Sequence, residues 1–128
     1  MRLLLDTHAF LWWLAGNDRL SPAARRAIAD DANETLISAA SAWEIATKYR
    51  LGKLPDVGAL AHDIGAGISG EGFEELPITV DDAARAGALA GIHRDPFDRM
   101  LVAQAQARNL VLVSIESLFD RYGIRRLW

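Results

Sequence analysis

The stretch His93-Arg94-Asp95-Pro96-Phe97-Asp98-Arg99-Met100-Leu101 sets two carboxylates among three basic or potentially basic side chains at the opening of a helix. Asp95 suits the cap of that helix, and Pro96 its first position, where a missing N–H costs nothing. Asp98 then falls in the first turn, and Met100, Leu101, Ala103, Gln104 and Ala105 carry the helix towards Asn109. Any well-made helix start has this form, so alone the stretch reads as structure. Its company changes that reading. Asp6, Glu44 and Glu116 each lie at or near the end of an apolar segment, and in one sheet they would share an edge with Asp98. Carboxylates brought that close repel, and their pKa values rise unless a cation neutralises them. Oxygen donors with no cysteine and little histidine favour a hard ion, Mg²⁺ or Mn²⁺. The chemistry that follows is metal-assisted phosphodiester hydrolysis, in which the ion polarises the phosphoryl group and acidifies water while a carboxylate takes the proton. A Ser/His/Asp hydrolase does not fit. His8, His62 and His93 are scattered, and no serine sits on a strand-to-helix elbow.

The elements that must position these groups follow from local pattern. Arg2-Leu3-Leu4-Leu5 reads as a buried strand ending in Asp6-Thr7-His8. Residues 9–14 read as a helix with no polar face. Its adjacent Trp12 and Trp13 cannot both point inward, so one is expected at an interface, either with a protein partner or a second copy. Ser21-Pro22 caps a helix running to about Asp30, and Thr35-Leu36-Ile37-Ser38 is a second strand. Ser41-Ala42-Trp43-Glu44 has the form of a capping box opening the next helix, with Glu44 in its first turn and paired to Lys48 four residues on. Asp56 is expected to cap a helix through Leu60 and Ile64. Gly65-Ala66-Gly67-Ile68-Ser69-Gly70 matches G-x-G-x-x-G but follows a helix and leads into a strand, Phe73-Glu74-Glu75-Leu76. It therefore reads as a flexible connection and not a dinucleotide loop. Thr79 starts a helix that includes Ala83, Ala86, Leu89 and Ala90. Leu110-Val111-Leu112-Val113-Ser114 is the clearest strand, followed by Ile115-Glu116, a short helix over 117–121 and an edge strand over 124–127.

Strands separated by helices predict an α/β domain with a mainly parallel sheet of about five strands and helices on both faces. Ligands in such a domain sit beyond the carboxyl ends of the strands. The four carboxylates come from four separate segments and converge on that rim.

Composition is consistent with this reading. A chain of 128 residues, 51% hydrophobic and 24% charged, makes a single domain spanning 1–128. The absence of cysteine excludes disulfides and thiolate chemistry and fits a reducing cytoplasm. Asp6 interrupts the first apolar run, so the start does not read as a secretory signal, and no apolar run is long enough to span a bilayer. The net charge of −3 argues weakly against coating nucleic acid by bulk electrostatics, although a nuclease with an acidic metal centre can itself be acidic.

The same residues resemble the PIN-domain ribonucleases, and within them the VapC-type toxins of bacterial toxin–antitoxin pairs. The likeness rests on Leu5-Asp6-Thr7-His8-Ala9, Ser41-Ala42-Trp43-Glu44-Ile45-Ala46, Arg94-Asp95-Pro96-Phe97-Asp98-Arg99-Met100-Leu101 and the Tyr122-Gly123 ending, which together cover essentially the whole chain. The resemblance implies a three-layer α/β/α sandwich with five parallel strands and Mg²⁺- or Mn²⁺-dependent endoribonuclease activity. It also implies a cognate antitoxin and a homodimer or toxin–antitoxin hetero-oligomer. By motif position Asp6, Glu44 and Asp98 take the family's acidic metal-site places. Ser114-Ile115-Glu116 departs from the usual Thr/Ser-x-Asp, keeping the charge at longer reach. Arg94, Arg99 and Lys48 are candidates to hold RNA, with a solvated, ion-paired face as the other reading. Two other functions stay open: a catalytically silent PIN fold that binds RNA or an antitoxin, and a phospho-receiver domain. The latter would need an aspartate where the third strand ends in Leu76-Pro77-Ile78.

Overall fold

A computed structural model describes residues 1–91 and 94–128, so His93 of the stretch that opens the sequence reading lies outside the described residues. Five short strands, β1 (Arg2–Leu5), β2 (Glu34–Ser38), β3 (Glu74–Leu76), β4 (Val111–Val113) and β5 (Arg125–Leu127), form one sheet in the order β3-β2-β1-β4-β5. Every pairing is parallel. Among the described residues seven α-helices separate them: α1 (Thr7–Ala15), α2 (Pro22–Ala29), α3 (Ala39–Arg50), α4 (Gly58–His62), α5 (Ile64–Ser69), α6 (Val80–Ala88) and α7 (Pro96–Arg108). Short 3₁₀ turns cover Pro55–Val57 and Ser117–Tyr122.

Period-two alternation along the strands divides the core into two layers. Leu3, Leu5, Ile37, Val111 and Val113 face one side, where Ala9 and Phe10 of α1, Ala24 and Ile28 of α2, and Ile45 of α3 pack on them. Leu4, Leu36 and Leu112 face the other side, against Leu101, Val102 and Ala105 of α7 and Phe119. From β1 the chain steps outward to β2 and β3, then returns across the sheet to β4 and β5. Right-handed crossovers in opposite directions place their helices on opposite faces, which yields the expected three-layer sandwich. They also open a crevice beyond the ends of β1 and β4, where the strand order reverses.

Several boundaries differ from the sequence reading. The helix expected to open at Ser41 is capped by Ser38, whose hydroxyl accepts from the Ala40 N–H at 3.0 Å. The last residue of β2 is therefore itself the cap, and no loop intervenes. Glu44 consequently stands in the second turn, and Ser41 does not cap. Asp56 does not cap a long helix either; a 3₁₀ turn and α4 come first, and Asp63 caps α5 through the Ala66 N–H. The glycine-rich stretch expected to be a flexible connection is largely α5 itself. Leu60 packs close over Gly67, where a Cβ would stand 2.4 Å from Leu60 Cδ1 and push that side chain aside. At α6, Thr79 and Asp82 form a reciprocal capping box, and the helix ends at Ala88, before Leu89. Asp95 caps α7, accepting from the Phe97 N–H at 2.8 Å and the Asp98 N–H at 3.2 Å.

Trp12 and Trp13 are both partly buried within the chain. Trp12 packs between His8 and Trp128, with ring centroids 5.6 and 5.9 Å away. Trp13 lies against Phe73, and its indole N–H donates to Glu71 at 3.3 Å. The exposed tryptophan is Trp43.

Candidate active site

Asp6 follows β1 directly and is 7% exposed. Its backbone N–H donates to the Val113 carbonyl at 3.1 Å, fixing it between β1 and β4. Its carboxylate caps α1, accepting from the Ala9 N–H at 2.8 Å. Burial pushes the pKa of Asp6 above the ordinary aspartate value against hydrogen bonds from Ser114 and the Ala9 N–H, with the Glu44 charge adding a smaller push upward. Glu44, 4% exposed, reaches the same place from α3. Its Oε1 pairs with Thr7 Oγ1 at 2.5 Å, and its Oε2 is ion-paired with Lys48 Nζ one turn along the helix. Thr7 also meets Ser41 Oγ at 3.1 Å, so this buried hydroxyl ties α1 to α3 across the site.

Asp98, in the first turn of α7, completes the crowd. Its pKa is pushed up to about 7, first by burial and then by the negative charges of Asp95, Glu44 and Asp6, with Lys48 opposing them. Burial alone would lower the Lys48 pKa, yet its bond to Glu44 and the charges of Glu44, Asp95 and Asp98 outweigh this and raise it. Lys48 is thus a cation that Glu44, Asp95 and Asp98 share. Asp6, Glu44, Asp95, Asp98 and Glu116 line one cleft with Thr7, His8 and Lys48. Glu116 is exposed at its edge, and its Oε1 accepts from the Leu118 N–H at 3.0 Å, capping the 3₁₀ turn.

The donor chemistry of this cleft fits a hard divalent ion: several carboxylate oxygens, no sulfur and a negative field that Lys48 offsets only in part. Asp6, Glu44 and Glu116 are, however, engaged with protein partners. Among the described residues no three Asp, Glu or His side chains are gathered closely enough to hold a metal as they stand. An ion would have to draw Glu44 from Lys48, and Asp6 and Asp98 into a common shell.

The basic candidates part company. Lys48 lies in the cleft, and Arg94 is exposed beside the start of α7. Arg99 points elsewhere: its guanidinium donates to the carbonyls of Ala86 at 3.1 Å, Gly87 at 3.4 Å and Leu89 at 2.5 Å. These are carbonyls at the end of α6 that lack helical partners, so Arg99 closes that helix. These bonds support the structural reading of Arg99. Arg99→Ala is expected to lower stability by about 1–3 kcal/mol in chemical denaturation, with the salt dependence of RNA binding unchanged. Thr7 and Ser114 were missed from sequence. Their only signal is position, each being a hydroxyl at the end of a central strand.

The PIN-domain family pattern matches residues 3–124, and the chain belongs to that family. A stretch of 31 residues is 71% identical to Ribonuclease VapC16 of Mycobacterium tuberculosis, covering 23% of this chain and 22% of that protein. Among solved structures, VapBC2 of Rickettsia felis bound to a promoter DNA fragment is similar with a TM-score of 0.69 at 16% identity, covering 98% of this chain and 97% of that one. VapC20 of Mycobacterium tuberculosis, described as a sarcin–ricin loop cleaving toxin, gives 0.64 at 17% identity over 95% of each chain. FitAcB of Neisseria gonorrhoeae gives 0.60 at 18% identity, covering 97% of this chain and 95% of that one. At these identities the structural likeness is one of fold. It agrees with the expected VapC-like PIN architecture.

Proposed function

We propose that this chain is a divalent-metal-dependent endoribonuclease acting as the toxin of a toxin–antitoxin pair. The observation that carries the reading is the crowding of Asp6, Glu44 and Asp98 beyond the ends of β1 and β4, strong enough to push Asp98 up to about 7. Family membership and the local identity to a named ribonuclease support it. Mg²⁺ or Mn²⁺, when bound, would supply charge neutralisation at the phosphoryl oxygens and a more acidic water. Asp6, Glu44 and Asp98 would hold the ion, with Glu116 assisting from the edge. One cleft carboxylate takes the proton of the attacking water as its oxygen bonds to phosphorus, and the P–O ester bond breaks with the leaving ribose oxygen taking a proton from solvent. Lys48, released from Glu44, and Arg94 would meet the RNA phosphates.

A cognate antitoxin and a homodimer or toxin–antitoxin hetero-oligomer belong to the same reading, as does a cytoplasmic location. Among the described residues, no helix is long and apolar enough to cross a membrane. A silent PIN fold that only binds RNA or an antitoxin draws on one observation, the engagement of Glu44 by Lys48.

Glu116 separates these readings. It is exposed and serves as a local cap, so Glu116→Gln should reduce cleavage by less than tenfold and Glu116→Asp should preserve it. Cleavage seen only in Glu116→Asp would favour the silent fold. Induced expression in a bacterial host tests the biological role. Growth arrest by wild type and its loss in Asp6→Asn is the expected result; arrest by both, or by neither, counts against a nuclease toxin.

A further inference from the structure

We propose that Trp43 and Phe97 form a platform on which an unpaired nucleobase stacks beside the acidic cleft, a reading that rests on the ribonuclease assignment above. Trp43 immediately precedes Glu44 on α3, and Phe97 immediately precedes Asp98 on α7. Each ring is therefore borne on a Cα about 3.8 Å from that of a site carboxylate. The two rings meet across the helices with centroids 5.0 Å apart and planes at 81°. This edge-to-face contact is a favoured aromatic geometry and steadies the indole without sandwiching it. Trp43 remains 63% exposed, while Phe97 is partly buried and anchors it.

What surrounds the indole identifies its occupant. Ala39, Ala46 and Arg50 share the exposed stripe of α3 with Trp43, so the one large apolar group on that stripe is the indole, flanked by alanine methyls and a guanidinium. A stable protein interface needs roughly 800 Å² from each partner, whereas a base needs a single flat π-face. Exposed Arg94 is a nearby sequence neighbour of Phe97, and the cleft itself contains Ile115, 54% exposed, and Lys48. An exposed aromatic beside cations and a phosphate-cleaving centre has the ingredients of a single-strand binding surface. Bases in a duplex already stack on one another and do not reach such a shelf, so the platform selects loops and unpaired segments.

The test uses the Asp98→Asn protein, expected to bind RNA without cutting it, and fluorescence anisotropy with two labelled probes. One is a short single-stranded RNA of mixed sequence, the other a ribose-phosphate strand of equal length without bases. Adding Trp43→Ala should weaken binding of the base-bearing strand by roughly 5- to 150-fold, the equivalent of about 1–3 kcal/mol per stacked base. Binding of the abasic strand should not change, which also shows that the variant is folded, and Trp43→Phe should recover most of the loss. Equal weakening of both strands, or of neither, overturns the platform. If Trp43→Ala instead dissociates a homodimer and leaves RNA binding intact, the indole is a protein contact and the proposal falls. Wild-type cleavage with Trp43-independent binding removes the platform alone. Absence of both cleavage and RNA binding removes the ribonuclease reading with it.

Discussion

Asp98→Asn is expected to abolish RNA cleavage, by at least about two orders of magnitude, while making the metal-free protein more stable. The two effects share one cause. Asp98 sits in a partly buried place already occupied by the charges of Asp95, Glu44 and Asp6, and its pKa is pushed up to about 7. Between about pH 4 and pH 7 the folded protein keeps a proton on Asp98 that the unfolded chain has lost. Stability therefore falls as pH rises through that window, and the full penalty applies above it. A shift of this size corresponds to about 2–4 kcal/mol, taken at the low end because the group is not fully buried. Asparagine carries no charge to repel. Thermal melting without metal at pH 8 should show Asp98→Asn several degrees above wild type, with the difference shrinking towards pH 4. Equal melting temperatures at pH 8 would mean that the carboxylates are not crowded in solution.

The second large effect lies away from the cleft. Asp82, 2% exposed, accepts from Arg108 Nη1 and Nη2 at 2.9 Å each, from Gln104 Nε2 at 3.1 Å and from the Thr79 N–H at 3.1 Å. Gln104, fully buried, also donates to the Pro77 carbonyl and accepts from Ser38 Oγ at 2.6 Å. Ser38 caps α3, the helix that carries Glu44. One buried network thus joins the end of β2, the loop after β3 and the helices α6 and α7, and holds Ser38 at the start of α3. Asp82→Ala strands a guanidinium and an amide, and should cost about 3 kcal/mol in urea denaturation. The low end of the range applies because the Arg108 side chain keeps 25% exposure. Although burial opposes it, the bonds from Arg108, the Thr79 backbone and Gln104, with the Arg108 charge, hold the Asp82 pKa down at about 2. Its contribution is complete above the unfolded value near 4 and disappears as pH falls through about 2. A loss below 1 kcal/mol would show that the network is not a stabilising unit.

The sequence made legible those features whose cause is local. The strand before Asp6, the Asp95-Pro96 start of α7, the Thr79 start of α6 and the β-branched β4 each follow from a few adjacent residues. Alternation then sufficed for the parallel sandwich, and strand ends sufficed to gather Asp6, Glu44, Asp98 and Glu116. What could not be read there depends on distant partners. Ser38 and Ser41 are equally good caps by type, and only the direct passage from β2 into α3, with Ser41 turned to Thr7, decides between them. The α4–α5 segment is rich in glycine, which lowers helix propensity; packing of Leu60 against Gly67 overrides it. Arg99 could serve RNA or a helix end by composition alone, and the bond it makes to the end of α6 depends on the return of α6 beside α7. Trp12 and Trp13 have no polar relief on their helix, but Trp128 and Phe73 arrive from far along the chain to cover them.

Metal-dependent RNA hydrolysis by the cleft carboxylates is measured by incubating purified protein with end-labelled RNA of mixed structured and single-stranded segments. Cleavage should appear with Mg²⁺ or Mn²⁺, stop with excess chelator, return when metal is added back, and be absent from Asp6→Asn prepared in parallel. Cleavage that persists in chelator, or that Asp6→Asn retains at wild-type rate, would contradict it.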